Sequence, residues 1–143
     1  MSEPLNAAEI LRDCRVLVAP ETFAVVSVTK QNWPAIISNP DLSPRMSAPF
    51  MIFMDQFEVT LVLDEVDLAD ILPGLAESQI QRDFRMLTFD IVMDFTVVGF
   101  IAVVSRLLAD AKISILPISA FSRDHVLVKQ ADLAKTLKVL GPH

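Results

Sequence analysis

Cysteine and histidine are scarce here. Cys14, His125 and His143 are the only such residues in 143. One cysteine cannot close an internal disulfide, so a reducing compartment is expected. The two histidines lack metal-ligand spacing. No supporting motif joins Cys14 to His125 as a nucleophile and base. Glycine occurs only at positions 74, 99 and 141, which excludes a glycine-rich phosphate loop. The 12 basic residues form no run, against 18 acidic ones and a net charge of −6. Nucleic acid and anionic membrane surfaces both require clustered Lys and Arg, so neither is an expected partner. The longest uncharged apolar run, Phe95 to Ser105, falls well short of the ~20 residues that cross a bilayer. The opening MSEPLNAAEILRD lacks the basic–apolar pattern of a signal peptide. These absences lead to the expectation of a cytoplasmic chain without a metal or cofactor.

What the chain does have is apolar material, 52% of its residues. That is enough for a core and for an interface, and a homodimer is expected. A short helix is predicted over residues 1–14, followed by strand candidates at Arg15–Ala19 and Thr22–Thr29, the latter rich in β-branched residues. A short helix over Trp33–Ser38 tolerates Pro34 in its first turn. A proline-bearing loop, Asn39–Pro49, leads to strands at Phe50–Met54 and Phe57–Leu63. A helix from Asp64 or Glu65 to Leu72 stops at Pro73-Gly74, and the polar residues 75–83 read as a linker.

The stretch from Met86 to Val128 then organises the rest. Met86–Met93 reads as a strand. Asp94 or Thr96 is placed to cap a helix over Val97–Ala111, whose apolar positions follow helical spacing. Ile113–Phe121 reads as a strand carrying Pro117, which confines it to a sheet edge or a bulge. His125–Lys129 is a further strand, and Ala131–Leu140 a closing helix before Gly141.

Asp67-Leu68-Ala69 returns as Asp132-Leu133-Ala134, sixty-five positions on. That offset lays element over element, giving two repeats, each β-α-β-β-α. The expected fold is therefore α+β: two ferredoxin-like repeats with antiparallel sheets, residues 1–79 and 80–143. The second repeat has no strand after its last helix. Arg15–Ala19 could supply one from the other end of the chain, so the halves are expected to be interlocked by strand exchange.

The second repeat resembles an ACT domain, and the pair resembles the ACT pairs of aspartate kinases, of arginine sensors and of small stand-alone bacterial proteins. The resemblance rests on Asp94-Phe95-Thr96-Val97-Val98-Gly99, on Ile113-Ser114-Ile115 with Ile118-Ser119-Ala120-Phe121 and Asp124, and on Ala131-Asp132-Leu133. It covers roughly residues 84–140. It implies a non-catalytic regulatory module that holds an amino acid or similar metabolite between ACT units. Under it, Val97, Val98 and Gly99 would offer backbone N–H groups to a carboxylate. Asp124 would meet an ammonium group, and Phe121 would wall the side-chain pocket. Asp94, Phe95, Thr96, Ile118, Ser119 and Ala120 complete the implied site. Two positions depart from the family pattern: Lys112 stands where Gly is usual, and Ala120 where Thr is common.

Read without the resemblance, Gly99 is a packing glycine, Asp124 part of a polar turn, Phe121 a core residue and His125 a half-exposed strand residue. The acidic run Asp64, Glu65, Asp67 and Asp70 reads as a solvated helix start. Trp33 could plug the first repeat's equivalent site. The alternative function is an interaction protein with a degenerate pocket that pairs through its edge strand. A small enzyme is the remotest reading.

Overall fold

The computed structural model describes residues 6–75, 78–93 and 96–141. They fall into two compact units, Glu21–Phe84 as one and Met1–Pro20 with Arg85–His143 as the other. This departs from a linear division at residue 79. Residues 6–20 go with the C-terminal unit, because their strand pairs there.

The unit Glu21–Phe84 contains β2 (Phe23–Val28), α2 (Trp33–Ile37), β3 (Met51–Met54), β4 (Val59–Asp64), α3 (Glu65–Ile71) and the first half of β5 (Gln79–Asp90). The strand order is β3-β4-β2-β5, and each neighbouring pair is antiparallel. This is the ferredoxin-like pattern. One face of the sheet carries Ala24, Val26, Val28, Val59, Leu61 and Leu63. These bury against Trp33 and Ile36 of α2 and Leu68 and Ile71 of α3, as the period-2 and period-3.6 patterns demand. Asp64 caps α3 through its carboxylate, which accepts from the Asp67 N–H at 2.7 Å.

The other unit contains α1 (Ala7–Asp13), β1 (Arg15–Val18), the second half of β5, α4 (Phe100–Asp110), β6 (Ile115–Ser119), β7 (Asp124–Lys129) and α5 (Leu133–Leu140). Its strand order is β1-β5-β7-β6. β1 runs antiparallel to β5, from Arg15 opposite Asp90 to Val18 opposite Leu87. Phe100, Val104 and Leu108 of α4 bury one stripe on Leu87, Phe89, Val126 and Val128, with Ile10 and Leu11 of α1 and its C-cap Cys14 beside them. The Phe89 and Phe100 rings meet edge to face at 5.2 Å. Pro117 lies on the edge strand β6.

Several boundaries move from their sequence expectation. Residues 79–83, read as linker, are strand: β5 begins at Gln79. Its polar residues there are exposed. Its pairing with β2 shifts register between Phe23 and Val25, where Asp83 takes φ +68°, the mark of a bulge. β5 ends at Asp90, and α4 starts three residues later than expected, at Phe100. Lys112 adopts φ +61°, so the turn after α4 keeps a glycine-like conformation without a glycine.

The hairpins of the two units repeat in register. Met54 faces Val59 in one, and Ser119 faces Asp124 in the other. The Asp55 N–H donates to the Glu58 carbonyl at 3.0 Å, and the Ala120 N–H to the Arg123 carbonyl at 2.9 Å. Both pairs are related by the sixty-five-residue offset.

Candidate functional site

The candidate site lies in the C-terminal unit, where the entry to α4 meets the β6–β7 turn. Met93, Val97, Gly99, Phe100, Ile101 and the run Ser119–Asp124 enclose a pocket of about 230 Å³.

Gly99 sets one wall. It is the N-cap of α4 at φ +85°, a conformation that side chains with a Cβ rarely adopt. Nothing lies within 4 Å of where its Cβ would stand, so the glycine serves the turn and not close packing. Its carbonyl accepts the first helical hydrogen bond, from the Val103 N–H at 3.0 Å. The N–H groups of the first helical turn, beginning at Phe100 and Ile101, have no partner within the helix. The expected donors Val97, Val98 and Gly99 therefore precede the helix, and the orphan N–H groups start at the next residue.

The opposite wall is the hairpin turn. The Asp124 carboxylate accepts from the Ser119 hydroxyl at 2.7 Å. The Ser122 carbonyl accepts from the Met93 N–H at 2.9 Å, tying the turn to the end of β5. The Arg123 guanidinium donates to Asp90 at 3.1 Å, and Arg15 donates to the same carboxylate at 3.1 Å. The Arg15 and Arg123 hydrogen bonds hold the Asp90 carboxyl below the usual carboxylate range. The pocket thus holds a carboxylate, Asp124, near the positive end of a helix dipole, with Arg123 occupied by Asp90.

Of the residues read from the sequence, Val97, Gly99, Ser119, Ala120, Phe121 and Asp124 come together around this pocket. Val98 does not line it and is 84% exposed. Thr96 is exposed and Ile118 half-buried, and neither lines the pocket. Asp94 and Phe95 lie outside the described residues. Phe121, expected as a wall or as core, stands at the rim with 91% of its surface exposed. Met93, Phe100, Ile101, Ser122 and Arg123 were not anticipated. Arg123 was findable as the charged neighbour of Asp124, but its partner Asp90 is distant in sequence.

His125 is half-buried beside the site, its Nδ1 2.8 Å from the Thr88 hydroxyl. Burial lowers its pKa, against the Asp124 charge. Burial raises the Cys14 thiol pKa, which leaves the thiol protonated and poorly nucleophilic. Among the described residues no group of three or more His, Cys, Asp or Glu could hold a metal. None of their helices is long and apolar enough to cross a membrane.

Two ferredoxin-like units, one with a pocket between a helix start and a hairpin turn, define a class of small α+β modules. More narrowly, residues 79–141 match the family model of the ACT domain. No curated protein matches the chain in sequence. Among solved structures, the chain is similar to a Vibrio cholerae protein of unknown function described as a possible transport protein. That pair is 22% identical with a TM-score of 0.68, over 94% of each chain. It is also similar to a putative C-terminal regulatory domain of aspartate kinase from Porphyromonas gingivalis, at 21% identity and TM-score 0.59, covering 90% of this chain and 96% of that one. The ligand-free regulatory subunit of aspartate kinase from Thermus thermophilus is 12% identical at TM-score 0.62, covering 87% and 93%. At these identities the likeness establishes the fold.

Proposed function

We propose that this protein is a non-catalytic sensor that binds an amino acid, or a metabolite with the same paired charges, in the pocket of its C-terminal unit. One observation carries the reading. The pocket joins the N-terminal end of an eleven-residue helix to the carboxylate of Asp124. A zwitterion needs both: hydrogen-bond donors for its carboxylate and an anion for its ammonium group. Ala120, where the family often has a hydroxyl, leaves the hairpin turn open on the ligand's side. The metabolite's side chain would lie along Val97, Met93 and Phe121. A second copy of the chain would close the mouth over Phe121 and Val98, which are too exposed for a monomer's needs. Ligand would then act by favouring the closed assembly.

The chain path supports a single interlocked body. β1 precedes the unit Glu21–Phe84 in sequence, yet pairs with β5 beyond it. The halves would then not be separable at residue 79.

The test is thermal melting against the twenty amino acids. A ligand at 100 times its dissociation constant adds about 2.7 kcal/mol, several degrees for a chain of this size. Asp124→Ala should remove that stabilisation and leave the ligand-free melting point nearly unchanged. A flat panel would transfer support to an interaction protein pairing through β6. Pro117 weakens that alternative, since it removes a donor from the edge.

A further inference from the structure

The unit Glu21–Phe84 holds a second pocket, of about 280 Å³, that the reading above does not use. Its floor is Trp33, Ile36, Leu61, Leu63 and Ile71, all buried. Its outer wall is the segment from Ile37 to Pro44, where the side chains of Ser38, Asn39 and Ser43 are exposed. No residue lining it carries a charge. Trp33 forms one side of it.

The pocket follows from a shortened helix. α2 has five residues, Trp33–Ile37, where α4 of the other unit has eleven. The rest of the connection is a proline-bearing loop with a single 3-10 turn, Pro40–Leu42. A loop held off the sheet by prolines cannot fill the volume that two further helical turns would occupy.

The loop is nonetheless fixed. Arg45, next to Pro44, donates from its backbone N–H (3.1 Å) and its Nε (2.7 Å) to one oxygen of Asp67, and from its guanidinium to Asp64 at 3.3 Å. Both carboxylates are buried at the start of α3. Leu42 is wedged on Gly74, where an added Cβ would come within 2.7 Å of its methyl. The wall is therefore tethered at two points, and the pocket is preformed.

We propose that this pocket is a binding site for a small neutral ring compound, aromatic or alicyclic, with one hydrogen-bonding group. An apolar pocket of this kind favours apolar molecules, whose burial there removes both surfaces from water. Its size sits at the lower end of small-ligand pockets, which suits one or two fused rings. The uncharged lining rejects a zwitterion, since neither of its charges would find a partner. The neutral polar side chains of Ser38, Asn39 and Ser43 lie on the open side, where one donor or acceptor of the ligand would emerge.

Indole and L-tryptophan present the same ring without and with the amino-acid charges, so the pair discriminates. Methyl NMR of the isoleucine-labelled full chain reads the site through Ile36, Ile37, Ile52 and Ile71, with Ile10, Ile113 and Ile115 of the other unit as controls. Millimolar indole should shift the four pocket methyls along a saturable curve, and L-tryptophan should not shift them. Ile52→Phe, which grows a half-exposed lining residue into the space, should weaken indole at least tenfold. The same spectrum shows whether that variant is folded; if it is not, Gly74→Ala, which drives Leu42 toward the pocket, takes its place. Shifts that rise linearly without saturating would overturn the site. Equal shifts on the control methyls, or an equal response to L-tryptophan, would also overturn it.

Discussion

The two units share a backbone plan and differ in where they leave room. Their hairpins keep the same register and the same turn hydrogen bond at a fixed offset. In the unit Glu21–Phe84 the Asp55 carboxylate caps that turn, accepting from the N–H groups of Phe57 and Glu58 at 2.7 and 2.8 Å. These bonds, to Glu58 first, hold the Asp55 carboxyl below the usual range. The matching residue in the other unit is Ala120, so Ser122 and Arg123 lack that cap and the turn faces an open pocket. Beneath the first helix the contrast reverses. Phe100, Val104 and Leu108 of α4 fill the space over their sheet, whereas the short α2 leaves an uncharged pocket. A repeated fold thus fixes the scaffold, and a few side chains and one helix length decide where each unit leaves space and whether charged residues line it.

The largest effect should come from asking whether the units are energetically one. Leu68 is fully buried between α3 and its sheet, and Leu68→Ala should cost about 3 kcal/mol. Hydrogen exchange then discriminates. An interlocked chain should lose protection in both units together, β1 and α4 included. Loss confined to residues 21–84 would show two independently stable halves.

A smaller effect should follow from making the two turns alike. Ala120→Asp places a carboxylate where Asp55 stands in the other hairpin. It should cap the Ser122 and Arg123 N–H groups and repel a ligand carboxylate. Amino-acid affinity, read by melting shift or calorimetry, should fall at least tenfold, with the ligand-free protein unchanged or slightly more stable. Undiminished binding would place the ligand's carboxylate elsewhere.

Much of the scaffold could be read from the sequence because it rests on local patterns. The β-branched run at Phe23–Val28, the i, i+4, i+8 stripe of α4 and Pro117 on an edge are each written within a few residues. The start of β5 could not be read in that way. Gln79–Asp83 is polar because it is exposed, and its strand character comes from pairing with β2 across a bulge. The later start of α4 depends on the αL turn at Gly99, which a periodic pattern does not register. Half the candidate pocket was found from the residues that carry the ACT resemblance. Met93, Phe100 and Arg123 join it only through the folded turn, as do the Asp90 bonds that occupy Arg123. The second pocket had no sequence signal beyond three prolines after a short helix, since a void is defined by what fails to fill it.

The smallest effect concerns pH and separates the units by a single side chain. His125 pairs with Thr88 in the C-terminal unit, while the unit Glu21–Phe84 contains no histidine. Burial lowers the folded pKa of His125 from 6.5. The unfolded chain therefore binds a proton more readily than the folded one in the window just below 6.5. Stability from this residue is complete above that value and declines as pH falls from it toward the folded pKa. Exchange protection measured between pH 7 and pH 5.5 should weaken around β5, β6 and β7, and in an interlocked chain β3 and β4 should weaken with them. His125→Gln, which keeps a partner for Thr88 and cannot titrate, should flatten the decline. A decline of equal size in that variant would take the effect away from His125; Asp90 could not supply it, because its depressed pKa keeps its arginine pairs until pH falls well below the histidine range.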